Sequence, residues 1–143
     1  MTNLNDLKEY WESMLQKQPG LKSVFFITEE GDVKDFISDI SPEQQPFALV
    51  LVPSGNSQGS EQDNFREQTR HLFYILEKEN SFRKTSLDIQ VETQPLTEAI
   101  KMQLLADKSP CNLLRYLDEG SFHTDPERKK FSSCTGWSVS FNS

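Results

Sequence analysis

Apolar residues along this chain gather in a few segments set apart by polar stretches, and the spacing inside each segment identifies its element. Leu4, Leu7, Trp11, Met14 and Leu15 recur at three- and four-residue steps, the period of one helical face, and Thr2 or Asn3 supplies a cap. Pro19-Gly20 ends that helix, because proline cannot continue the hydrogen-bond ladder and glycine tolerates the reversal. Val24-Phe25-Phe26-Ile27 is a short run of β-formers and reads as a strand, followed by a turn at Glu30-Gly31-Asp32. In residues 33–40, Val33, Phe36, Ile37 and Ile40 fit one helical face, while a hairpin partner for the first strand competes. The preferred reading is a short helix capped by Asp32 and ended by Ser41-Pro42.

Residues 47–52 are apolar on both faces, as befits a central strand covered on both sides, and Pro53 closes them. Residues 54–64 contain no apolar member and predict a flexible exposed loop. The next strand is expected over residues 71–77, paired antiparallel with the one before the loop. Two periods compete in residues 82–105. Leu87, Ile89 and Val91 alternate like a strand, yet Phe82, Ile89, Leu96, Ile100 and Leu104 fall on one helical stripe. A helix over at least residues 95–107 is the firmer part, extending back toward Thr85 with a kink at Pro95; residues 85–94 stay open between helix and strand. After Ser109-Pro110, Leu113, Leu114 and Leu117 make a short amphipathic turn ending at Gly120. Last comes a clean alternation: Trp137, Val139 and Phe141 toward a core, Ser138, Ser140 and Asn142 toward water.

These elements assemble into one α+β domain covering residues 1–143. A mainly antiparallel sheet of about four strands is packed by two main helices, with the flexible polar loop at 54–64. A chain of 143 residues buries enough surface to fold without a disulfide or metal. Its net charge is −7, and all of that excess lies before residue 65. A surface of this sign repels phosphate backbones, which argues against direct nucleic-acid binding; the basic run Arg128-Lys129-Lys130 is short and sits beside acids. The opening residues lack a basic and an apolar secretory region, and no apolar run is long enough to span a bilayer, so no membrane partner is expected. Cys111 and Cys134 form no CxxC pair and read as free thiols in a reducing cytoplasm.

Candidate chemistry is sparse. The Ser54-Gly55-Asn56-Ser57-Gln58-Gly59-Ser60 stretch follows a strand but lacks the lysine ending of a P-loop and the spacing of a dinucleotide site. Asp118, Glu119, Asp125 and Glu127 surround His123 within ten residues, a set that could hold a cation, although no second histidine is near. A nucleophile–base pair would need Cys111 or Cys134 beside His71 or His123, and nothing in the spacing brings them together. Trp11 and Trp137 sit on the apolar stripes of their own elements and read as core anchors. No catalytic, cofactor-binding or metal residue is assigned, and no cofactor is expected.

The C-terminal order is distinctive: a helix ending in Met102-Gln103-Leu104-Leu105-Ala106-Asp107-Lys108, a polar link, then Thr135-Gly136-Trp137-Ser138-Val139-Ser140-Phe141. With the N-terminal helix and phenylalanine-rich strand before it, this resembles small tail-associated proteins of phages and phage-like elements, particularly of Bacteroidetes, of the tail-terminator and tail-completion kind. The sharpest shared motif is Gly-Trp-x-x-x-Phe. The resemblance implies a non-enzymatic structural or assembly protein of a phage-derived or contractile-tail-like particle. Its partners would be other tail or particle proteins, and it would form a ring homo-oligomer on assembly. It would be made in the cytoplasm and incorporated in the particle. The acidic surface suits a ring through which DNA passes without being gripped. Two readings compete: a cytoplasmic protein-binding module acting through its long polar loop, and a metal-dependent enzyme using the cluster in residues 118–127.

Overall fold

In the computed structural model the described residues are 3–58, 66–79, 85–131 and 133–143. Helix α1 (Leu4–Lys17) starts where Asn3 accepts hydrogen bonds from the Asn5 and Asp6 N–H groups, and it buries Leu7, Trp11 and Met14. Leu4 lies outside that contact and is exposed. Strand β1 (Ser23–Ile27) runs parallel to β2 (Phe47–Leu51). Helical turns make the crossover between them: Glu30–Val33, α2 (Lys34–Ile37) and Pro42–Gln44. The helical reading of residues 33–40 therefore holds over the hairpin. Asp32 is not its cap, because the helical turn has already begun at Glu30.

Strand β3 (Ser54–Gln58) and β2 both pair antiparallel with one long strand, β4 (Arg66–Lys78). From Val50 to Ser54 the first chain advances four residues while β4 advances three, from Phe73 to Arg70. The extra residue makes a bulge at Val52-Pro53, where proline can sit without breaking a ladder bond. Residues 54–58 are thus strand, not loop. Their polar side chains carried no strand pattern, but the ladder on β4 holds their backbone. The rest of the expected loop, 59–64, lies outside the described residues.

Helix α3 (Ser86–Ala106) resolves the competing periods in favour of the helix along its whole length. Thr85 and Asp88 form a reciprocal capping box, which fixes the start. Ile89, Ile100 and Leu104 are buried on its inner stripe; Phe82 lies outside the described residues. The helix is continuous through Pro95. The missing N–H there deprives the Val91 carbonyl of its partner, and Val91 is exposed, so water can take that place. Thr93 and Thr97 on either side donate to the carbonyls of Ile89 and Thr93.

Two further strands complete the sheet, β5 (His123–Lys130) and β6 (Cys134–Asn142), in the order β1-β2-β4-β6-β5. Five strands lie side by side with β3 beside β4, against about four expected. Only β1–β2 is parallel. β5 was expected as loop. Its polar sequence and Pro126 hid it, and both are tolerated because it is the edge strand.

β2 is apolar on both faces because both faces are covered. Ala48, Val50, Phe73, Ile75, Val139 and Phe141 pack against α1 and α3. Phe47, Leu49, Tyr74 and Leu76 pack against Val33, Ile37 and Ile40 of the crossover. Ser138 and Ser140, expected in water, are buried. β6 is internal, so these small side chains lie between Tyr74 and Leu72 on β4 and Asp125 and His123 on β5. Trp137 is half-buried on the helix face, its Nε1 donating to the Gln90 carbonyl of α3 at 3.0 Å. That contact is with the helix before Pro95. Gly136 is required where β6 crosses β4: a Cβ there would stand 2.0 Å from the Ile75 carbonyl oxygen.

Candidate functional site

The residues that sequence reasoning weighed for chemistry are dispersed by the fold. Asp118 spends its carboxylate on the Gly120 N–H at the start of the Glu119–Ser121 turn. His123 Nε2 and Asp125 Oδ2 lie 2.8 Å apart on the exposed face of β5. Among the described residues no three His, Cys, Asp or Glu side chains converge as a metal site. Cys111 is exposed and Cys134 buried, and both are free. Burial pushes the Cys134 thiol up to about 11, which keeps it protonated and unreactive. His71 pairs with Phe141 at one end of the β4–β6 ladder and Cys134 with Lys78 at the other. Seven residues of strand, roughly 23 Å, separate them, so no cysteine–histidine pair forms there.

His71 is a structural oddity that sequence did not flag. Its ring stacks on Phe141 at 4.7 Å and 8°, and Phe141 in turn stacks on Phe122 at 5.0 Å. Burial lowers its pKa from 6.5 to about 4, and its Nε2 has no hydrogen-bond partner. A neutral imidazole sealed among aromatic rings is a core group rather than a general base.

Two polar hubs join elements. At the first, Asp107 accepts from Tyr10 Oη at 3.0 Å, Lys17 Nζ at 2.9 Å and Gln103 Nε2 at 2.9 Å, tying α1 to the end of α3. Partial burial opposes its charge, but these donors, Lys17 foremost, outweigh it and hold the carboxyl below the usual range. Burial, then the Asp107 charge, raises the Tyr10 phenol. At the second, Glu79 accepts from the Ser86 hydroxyl and from Thr135 Oγ1, and Arg128 Nε donates to Ser86 Oγ at 3.3 Å. The Ser86 hydrogen bond is the main cause of Glu79's lowered pKa. Both hubs join elements of the fold.

A few large apolar side chains also face outward. Leu87, Val91 and Met102 project from α3 at 67%, 61% and 65% exposure. With exposed Pro95 they form one stripe on the side opposite the core. The stripe was legible: once the buried residues of α3 are assigned to one face, these remain on the other. Two open concavities accompany it. One, about 330 Å³, lies under β1 and is lined by Phe25, Phe26, Phe36, Asp39, Ile40 and Gln44. The other, about 420 Å³, follows α3 and is lined by Lys108, Ser109, Pro110, Arg115 and Tyr116. No helix among the described residues is long and apolar enough to cross a membrane. No protein-family model and no curated protein matches the chain.

Proposed function

We infer that this protein is a non-enzymatic assembly subunit of a phage-derived or contractile-tail-like particle. The observation that carries the reading is the outer stripe of α3. A surface helix normally turns polar residues outward, and α3 exposes Leu87, Val91, Pro95 and Met102 along about 22 Å, with Glu98 between Pro95 and Met102. Large apolar side chains gathered on one exposed helix face are characteristic of protein contact. A ring needs two different patches on each subunit, and this stripe supplies one of them. The C-terminal resemblance to tail-associated proteins supplies the particle.

The acid excess before residue 65 opposes close approach of free subunits, and salt relieves it by screening beyond about 10 Å at 0.1 M. Light scattering of the isolated chain is therefore expected to give a monomer at low salt and weak association as salt rises. Leu87→Lys combined with Val91→Lys should abolish the association and leave the melting temperature nearly unchanged, since both side chains are outside the core. A tight dimer at every salt concentration, indifferent to these substitutions, would overturn the reading and favour a binding module.

A further inference from the structure

The two ends of the strand order β1-β2-β4-β6-β5 are built differently. β5 carries Asp125, Glu127 and three consecutive basic residues, contains Pro126, and is interrupted by an irregular register between Glu127 and Lys130. Charge, proline and bulges are the devices by which an edge refuses a further strand. β1, at the other end, is Ser-Val-Phe-Phe-Ile, with no charge, no proline and an unbroken register against β2. The Ile27 carbonyl accepts from the Val52 N–H at 2.8 Å, so Ile27, Phe25 and Ser23 turn their peptide groups toward β2. Peptide direction alternates along a strand. Val24 and Phe26 therefore aim their N–H and C=O groups at the open side, where no described residue meets them.

Beside this edge lies the groove of about 330 Å³, floored by Phe25 and Phe36 with ring centroids 5.6 Å apart. Asp39 and Gln44 stand on its lining. The crossover in residues 28–46 holds six acidic residues and one lysine. We propose that β1 is a docking edge that takes an added strand from a partner protein, an extended segment with alternate apolar side chains and a lysine or arginine facing Asp39. Backbone pairing would supply the affinity and the groove the selectivity. A second copy of this chain is a poor occupant, because pairing β1 with β1 brings two acidic crossovers together. Docking at β1 rests on the assembly reading for the existence of a protein partner, and it uses a surface separate from α3.

The probe is a capped, labelled ten-residue peptide of alternating valine and lysine, N-methylated along one edge so that it pairs through the other alone. By fluorescence anisotropy the wild type is expected to bind it, and its glutamate counterpart is expected not to bind. Val24→Pro and Phe26→Pro should each weaken binding at least tenfold. Both delete an outward N–H and spare the bonds to β2; each also removes a side chain packed against the helix-face core, so the melting temperature should fall, and binding is compared at a temperature where the variant is folded. Asp39→Asn should weaken binding several-fold. Hydrogen exchange at the Val24 and Phe26 amides should slow in the bound state, and this decides the matter on wild type if a proline variant unfolds. The Leu87→Lys, Val91→Lys protein should bind the peptide normally. Retained binding by folded proline variants, equal binding of the glutamate peptide, or unchanged exchange would overturn β1 docking while leaving the α3 reading intact. Protection of those amides that grows with protein concentration in the absence of peptide would overturn it in favour of a second copy.

Discussion

Lowering the pH from 7 to 5 is expected to remove about 2 kcal/mol of stability through His71 alone. The folded chain holds this imidazole neutral: it is 5% exposed, stacked on Phe141, and its pKa falls from 6.5 to about 4. The unfolded chain takes up the proton near 6.5, so it is favoured as pH drops. The contribution is fully present above 6.5, is lost between 6.5 and about 4, and is flat below. Over the whole interval it amounts to about 3 kcal/mol, a large share of a small domain's stability. Asp107 and Glu79 have lowered carboxyl pKa values, so their contributions persist above 3.8 and 4.5 and fade only at lower pH. Urea titrations at pH 7, 6 and 5 on wild type, His71→Phe and His71→Gln give the difference directly, with all other groups cancelling. Both variants should lose the slope, and the phenylalanine variant should also gain at neutral pH by removing an unpartnered buried nitrogen. An unchanged slope in the variants, or an NMR titration of His71 near 6.5, would refute the reasoning.

Gly136→Ala should cost more than about 3 kcal/mol or prevent folding, because the new methyl meets the Ile75 backbone rather than a movable side chain; circular dichroism and denaturation measure it. Trp137→Phe keeps most of the packing and loses the bond to the Gln90 carbonyl, so a loss of about 1 kcal/mol is expected by urea unfolding. Thr85→Ala removes half of the capping box and should cost about 1 kcal/mol, while Thr85→Ser should restore it.

The fold was legible where packing dictates side-chain pattern. The 47–52 run reads as a central strand because both its faces are buried, and the α1 stripe reads as a helix because one face is. Legibility failed where backbone pairing rather than burial defines the element. β3 and β5 are held by ladder bonds to β4 and β6 and carry polar side chains, so no apolar period marks them. In α3 the two periods conflicted because Leu87 and Val91 are apolar yet face outward, and an exposed apolar residue looks, in sequence, like a core residue. The separation of His71 from Cys134 along the β4–β6 ladder agrees with the lack of any local signature around them. The edge role of β1 could not be read from its sequence, since a buried strand and an unguarded edge share the same composition.

The assembly reading is tested most directly by electron microscopy of the chain produced together with the proteins encoded beside its gene. Rings of this chain seated on a tube or particle are predicted, lost when Leu87 and Val91 are replaced by lysine. A chain that stays monomeric or forms a closed dimer in the presence of those proteins, with particles completed without it, would contradict the assembly role.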